Sequence, residues 1–275
     1  MAEVTEDVAK ARLVLLDALE ALGEQRDAMI LVGAQAVYLR TGDVSLAVSE
    51  YTRDADLAID TERIAPHPKL DQLLTAAAFT RGGQPGTWFS TKYTSSEDPI
   101  PVDFLVAEAM GGRPGRRAAT VPGQPDNSAR QVRGLEAALI DNNQGLVGAL
   151  SDDPRSFQLR IAGAAALVVA KVHKIAERID TSRGRDKDAL DIYRLLRTVE
   201  PDDFAQRFAA LLNTPVSREP TQYALGEFST LFGSTRAPGV DMVVRATSGL
   251  EPEQEVRRST LALAQDLIGV IGKST

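Results

Sequence analysis

Thr52-Arg53-Asp54-Ala55-Asp56-Leu57-Ala58-Ile59-Asp60 alternates from its third residue on. Ala55, Leu57 and Ile59 fall on one face, and Asp54, Asp56, Ala58 and Asp60 on the other. A period of two marks a β-strand, here with one acidic edge. Asp54 and Asp56 therefore point to the same side. Two carboxylates so placed repel when partly buried, and a hard divalent cation such as Mg2+ relieves the repulsion. An exposed edge carrying solvated acids is the plainer alternative, because short motifs recur by chance.

The flanking sequence adds to this strand. Ala28-Met29-Ile30-Leu31-Val32 is a short apolar run that stops at Gly33, and Ala34 to Leu39 continues at helical spacing. A strand, a glycine and a helix start put free N–H groups and the positive end of a helix dipole at the turn, a setting that holds phosphate. Downstream, Ile100-Pro101-Val102-Asp103-Phe104-Leu105-Val106 reads as a strand with one acid inside it. An acid there is unfavourable unless paired or metal-bound, or unless the strand is an edge facing water, which Pro101 permits.

Around these pieces, Val4 to Leu22 reads as an amphipathic opening helix stopped by Gly23. His67 to Phe79 is helical in character, with His67 at its entry, and Thr87 to Tyr93 is a strand joined to Asp103's strand by a turn-rich link at 94–99. Residues 111–134 change character. Five glycines and three prolines mix with Arg113, Arg116, Arg117, Arg130 and Arg133 against a single Asp126, a local excess of four positive charges. This is read as a linker or loop. Short β-like pieces are expected around 135–149 and 156–161, then helices at roughly 163–180, 186–198, 202–213, 221–232 and 252–271. The expected architecture is α/β (α+β), a mixed sheet with flanking helices over 1–110, the linker, and a mainly helical C-terminal domain over 135–275.

Composition narrows the chemistry. The chain has 275 residues and no cysteine, and its only histidines are His67 and His173. A disulfide framework, a cysteine nucleophile, thiolate zinc, Fe–S ligation and a three-histidine metal site are thereby excluded. A Ser-His-Asp triad would have to use one of those two histidines, and the composition points catalysis toward carboxylates, lysine and arginine. The net charge of −7 excludes a wholly basic nucleic-acid binder but not a local basic patch. No apolar run is long enough to span a membrane, and the acidic start lacks the pattern of a signal peptide, so a cytoplasmic protein is expected. Trp88 and Phe89 are read as core more readily than as a base-stacking platform, and His173 as a packing residue.

A second constellation lies at Leu167 to Arg178, followed by Arg183-Gly184-Arg185-Asp186-Lys187-Asp188-Ala189-Leu190-Asp191. Leu167, Lys171, Lys174 and Arg178 share a helical face, and Asp188 and Asp191 are neighbours on the next helix. Two such helices joined by a glycine-containing turn place Lys171 against Asp188. A salt-bridged hairpin with solvated faces accounts for the same pattern.

The glycine turn, the DxD strand and the third acid together resemble the DNA polymerase β-like nucleotidyltransferase superfamily. That resemblance implies metal ligation by Asp54, Asp56 and Asp103, with Mg2+ or Mn2+, and a nucleoside triphosphate as substrate near Gly33, Ala34 and Thr52. Two departures stand out: Gly33-Ala34 replaces the usual Gly-Ser or Gly-Gly, and Thr52 stands in for the usual serine before the motif. Thr52 is also a modification candidate, since a phosphate beside Asp54 opposes metal binding. The Lys, the later Arg and Lys187-Asp188-Ala189-Leu190-Asp191 resemble the AbiEii/AbiGii-type nucleotidyltransferase toxins, including the MenT-like group. This implies catalytic or nucleotide-contacting roles for Lys171, Asp188 and Asp191. It also implies transfer of a nucleoside monophosphate to an acceptor hydroxyl at a tRNA 3′ end, and a cognate antitoxin as partner. Arg113, Arg116, Arg117, Arg183, Arg185 and Lys187 are candidate RNA contacts, with solubility and ion pairing as the plainer role. A small-molecule nucleotidyltransferase acting on an aminoglycoside-like hydroxyl, or a catalytically inactive interaction partner, remain open alternatives. The last 75 residues carry no motif.

Overall fold

A computed structural model describes residues 6–42, 54–92, 99–113, 115–178 and 185–274. Helix α1 (Glu6–Leu22) buries Ala11, Leu15, Ala18 and Leu22 along one stripe, the spacing expected of a helix laid on a core. It leads into β1 (Met29–Val32), four residues all buried, and then directly into α2 (Gly33–Thr41). Next come β2 (Ala55–Ile59), α3 (Leu70–Ala76), β3 (Phe79–Arg81), β4 (Thr87–Ser90) and β5 (Pro101–Ala107). Then follow β6 (Arg130–Val132), α4 (Glu136–Ile140), β7 (Asn142–Gly148) and β8 (Ser156–Ala162).

These strands form one mixed sheet in the order β3-β4-β5-β2-β1-β8-β7, with β6 also on β5. β1 runs antiparallel to β2 and parallel to β8, while β2 and β5 are parallel. β4 covers Pro101 to Asp103 of β5, and β6 covers Leu105 to Ala107. Trp88 is buried, in keeping with a core role.

The chain closes with α5 (Ala164–Glu177), α6 (Arg185–Thr198), α7 (Pro201–Asn213), α8 (Pro215–Phe232), α9 (Pro238–Ala246) and α10 (Glu253–Ser274). Helix α5 is buried almost all round, as a helix central to its neighbours must be. It packs against α2 and α4 on the sheet side and against α6 and α8 on the other. Phe204, Phe208, Phe228 and Phe232 from α7 and α8 form the outer helical core.

The mixed sheet with a helical C-terminal part is the architecture expected from sequence. Details differ. β7 and β8 lie in the same sheet as β1, so strands from both sides of 111–134 share one sheet, which ends only at Ala162. The 111–134 stretch is a loop stitched to that sheet. It supplies β6, and the Gln131 amide donates to the carbonyls of Gly111, Arg113 and Ala118. The expected helix at 67–79 is shorter because Phe79 starts β3. Helix α9 lies in a stretch between the helices expected at 221–232 and 252–271.

Candidate active site

The sheet register gathers the acids. Val32 pairs with Asp56 across β1 and β2, and Asp56 pairs with Asp103 across β2 and β5. Gly33 immediately follows Val32, so the glycine turn, Asp56 and Asp103 lie in one row over three strands. Asp54 precedes them on β2's own acidic side.

Gly33 has a positive φ of 67°, a conformation that costs an L side chain about 1–2 kcal/mol. Space forbids a side chain as well: a Cβ at Gly33 would stand 2.1 Å from Asp56 Oδ2. The helix that starts here has no side-chain N-cap, so its first N–H groups are not engaged that way. Gly33→Ala is therefore expected to displace the Asp56 carboxylate. Thermal melts should show a loss of about 1–2 kcal/mol, and the specific activity should fall by at least tenfold. A variant with wild-type rate and stability would mean that this close approach is unimportant.

Asp56 is only partly exposed, and burial pushes its carboxyl up to about 6. The charges of Asp103 and Asp54 push the same way, while Lys174 and Lys171 pull against them. The three acids and the two α5 lysines thus form one electrostatic unit. Asp103 is held at both oxygens. The Thr87 hydroxyl donates to Oδ1 at 2.5 Å, and Arg130 donates to Oδ2 at 2.9 Å. Arg130→Met would leave Oδ2 without that donor beside Asp56, an expected loss of about 1–3 kcal/mol. Arg130→Lys should recover part of it, and chemical denaturation of the three proteins checks the order.

The helical hairpin forms the other wall. The Lys171 ammonium is buried and donates to Asp188 Oδ1 at 2.8 Å and to Asp191 Oδ2 at 2.6 Å. Burial works against that charge, but the two carboxylates outweigh it and hold the lysine above its ordinary value. Burial likewise works against the Asp188 carboxylate, but the lysines outweigh it and lower its pKa. Lys174 reaches Asp188 Oδ1 at 3.2 Å while keeping 43% of its side chain exposed. Arg194 completes the set at 3.0 Å from Asp191 and stacks over Tyr38 of α2. Three cations face two carboxylates, so one positive charge is left over on the side that Asp56 feels. Asp188 Oδ2 is buried with no hydrogen-bond donor.

The sequence-derived residues are thus placed as follows. Gly33, Ala34, Asp54, Asp56 and Asp103 meet at the row of strands, and Lys171, Asp188 and Asp191 form a buried network beside it. Arg113, Arg116 and Arg117 are exposed on the loop before β6, and Lys187 is half-buried on α6. Thr52, Arg183 and the side chain of Arg185 lie outside the described residues. Arg130 and Lys174 are the contacts that sequence reasoning passed over. Arg130 was visible only as one arginine of a basic stretch, because its arrival at Asp103 depends on β6 register. Lys174 was visible on the shared lysine face of α5. His173 is a packing residue: its Nε2 lies 2.9 Å from the Pro220 carbonyl and its ring stacks on Tyr223.

Among the described residues no group of three His, Asp or Glu side chains is placed to hold a metal ion. The donor set that fits a hard cation is Asp54 with Asp56, oxygen ligands of which Asp56 lies against the Gly33 backbone where a Cβ would collide with it. Asp103 accepts hydrogen bonds from Thr87 and Arg130.

No curated protein and no solved structure matches the chain. A family model described as Nucleotidyltransferase (NTP_transf_8) matches residues 11–216, from α1 through the sheet and the lysine–aspartate hairpin into α8. The match spans about three quarters of the 275 residues and includes the glycine turn, the three acids and the buried lysine network. The chain belongs to this nucleotidyltransferase family and is an enzyme of that type.

Proposed function

We propose that this enzyme moves a nucleoside monophosphate from a nucleoside triphosphate to a hydroxyl at the 3′ end of tRNA, as the cytoplasmic toxin of a toxin–antitoxin or abortive-infection system. The observation that carries this reading is the meeting of two motifs: the Gly33/Asp54/Asp56/Asp103 row and the Lys171/Asp188/Asp191 hairpin coupled to it through Lys174. The first resembles the DNA polymerase β-like nucleotidyltransferases, and the second the AbiEii/AbiGii-type and MenT-like toxins.

The reaction is attack of the acceptor oxygen on the α-phosphorus. The bond to pyrophosphate breaks in line, and the hydroxyl proton leaves toward the carboxylate row. Asp54 and Asp56 would hold Mg2+ or Mn2+, which supplies neutralisation of negative charge on the triphosphate. Gly33 lets phosphate oxygens approach the first N–H groups of α2, Ala34 included. Lys174, half-exposed beside Asp56, contacts the triphosphate as a point charge. Lys171 with Asp188 and Asp191 fixes the wall from which Lys174 projects. Asp103, fixed by Thr87 and Arg130, is the third ligand or the base. Arg113, Arg116, Arg117 and Lys187 would contact acceptor phosphates. No helix among the described residues is long and apolar enough to cross a membrane.

A small-molecule acceptor is the second reading, favoured by the net charge of −7, since cationic aminoglycoside-like substrates suit acid-lined clefts. Incubating the protein with α-labelled nucleoside triphosphates, Mg2+ and either total tRNA or an aminoglycoside panel separates the two. Label in tRNA that disappears with Asp54→Ala supports the proposal. Label confined to the small molecules replaces it with the second reading.

A further inference from the structure

The two ends of the sheet are built differently. At one end β3 is three residues long and ends in Arg81, which pairs with Asp71 and lies over the Trp88 ring. Short, charged edge strands of this kind discourage pairing with another chain. At the other end β7 has seven residues, and residues 142–151, Asn-Asn-Gln-Gly-Leu-Val-Gly-Ala-Leu-Ser, carry no charge and no proline. Among the described residues β7 has β8 as its one neighbouring strand. Five large apolar side chains stand exposed among the described residues, and three belong to this edge: Ile140 just before β7, Leu146 within it at 59% exposure, and Leu150 just after it.

We propose that β7 is a docking edge for a second copy of this chain, pairing antiparallel with its own counterpart about a two-fold axis near Gly145. That axis sets Gln144 opposite the partner copy's Leu146 and brings the two Leu146 side chains to diagonal positions, within reach of each other. The strand itself carries no charge, so none of its own side chains repel across the pair despite the net charge of −7; its Gly148 carbonyl already accepts from Arg12 of α1, so the pairing centres on 143–147.

The flanking charges favour this occupant. The Gly148 end carries the exposed Asp152, together with Asp153 and Glu20 around Arg155. The Asn142 end carries Arg207, 40% exposed and anchored by the buried Asp141. Antiparallel pairing lays the acidic end of one copy beside the arginine end of the other, twice over, as an isologous interface requires.

Sedimentation velocity and light scattering of the full chain, from low to high micromolar concentration, test this. The wild type is expected to pass from 29.5 kDa to twice that mass, and Leu146→Lys to weaken association by at least tenfold while melting as the wild type does. Thr80→Lys on the β3 edge should dimerise unchanged. Hydrogen exchange of the wild type should show residues 142–148 becoming protected as concentration rises. A wild type that stays at monomer mass throughout overturns the proposal, as does a Leu146→Lys variant that dimerises as well as the parent, or dimerisation without protection of 142–148.

Discussion

Asp56→Asn is expected to abolish nucleotidyl transfer, by at least a thousandfold, and at the same time to make the protein more stable. The two effects share one cause. Folding moves the Asp56 carboxyl from its ordinary value of 3.8 up to about 6, because burial and the charges of Asp103 and Asp54 outweigh the pull of the lysines. A group whose pKa rises on folding is penalised when it ionises. Well below 3.8 the carboxyl is protonated in both states and no penalty applies. Between about pH 4 and 6 the unfolded chain loses its proton first, and above 6 the full penalty is present, roughly 2–3 kcal/mol. The asparagine variant has no such charge to bury. Melts of the metal-free protein in chelator should therefore give nearly equal midpoints at about pH 3. They should diverge in favour of Asp56→Asn as the pH passes 6, by roughly 4–8 °C. A variant that is inactive but no more stable at pH 7.5 than at about pH 3, relative to wild type, would show that Asp56 is not held under electrostatic strain.

The second large effect separates two lysines one turn apart. Lys171→Met should cost about 3–5 kcal/mol, because it leaves Asp188 and Asp191 buried without the ammonium they share. Low soluble yield and early melting are the expected signs. Lys174→Met should cost less than about 1 kcal/mol, since that side chain is half-exposed and Asp188 keeps Lys171. Its expected loss is in the reaction: a rise in KM for the nucleoside triphosphate of tenfold or more, on a protein that melts normally. If Lys171→Met folds and melts like wild type, the buried network does not carry the wall. If Lys174→Met reacts normally, that lysine does not meet the triphosphate.

How much of this was legible in the sequence depends on the range of the interaction. The alternation at 54–60 and the glycine after Val32 are local patterns, and the structure follows both: β2 runs from Ala55 to Ile59 and α2 begins at Gly33. The meeting of Lys171 with Asp188 was also readable, because two helices joined by a short segment leave few other partners, and the contact is 2.8 Å. Non-local pairing was not readable. Nothing in Ser156 to Ala162 says that it lies parallel to β1, so sequence alone leaves the late strands apart from the first sheet. Arg130 reaches Asp103 only because β6 pairs with the far half of β5, a register set by the whole loop from 111 onward. The depth of Lys171 followed from α5 being apolar on nearly every side, a pattern that was visible in Ala164 to Ala170 but read as one helical face.

The most direct test follows the phosphorus. The protein is incubated with Mg2+, total tRNA and nucleoside triphosphates labelled in parallel at the α or the γ position, with Asp56→Asn alongside. Nucleotidyl transfer at the Asp54/Asp56 pair predicts α-label in a product, γ-label released only as pyrophosphate, and neither event with the variant. Transfer of γ-label to the acceptor, or α-label transfer that persists undiminished in Asp56→Asn, would contradict it.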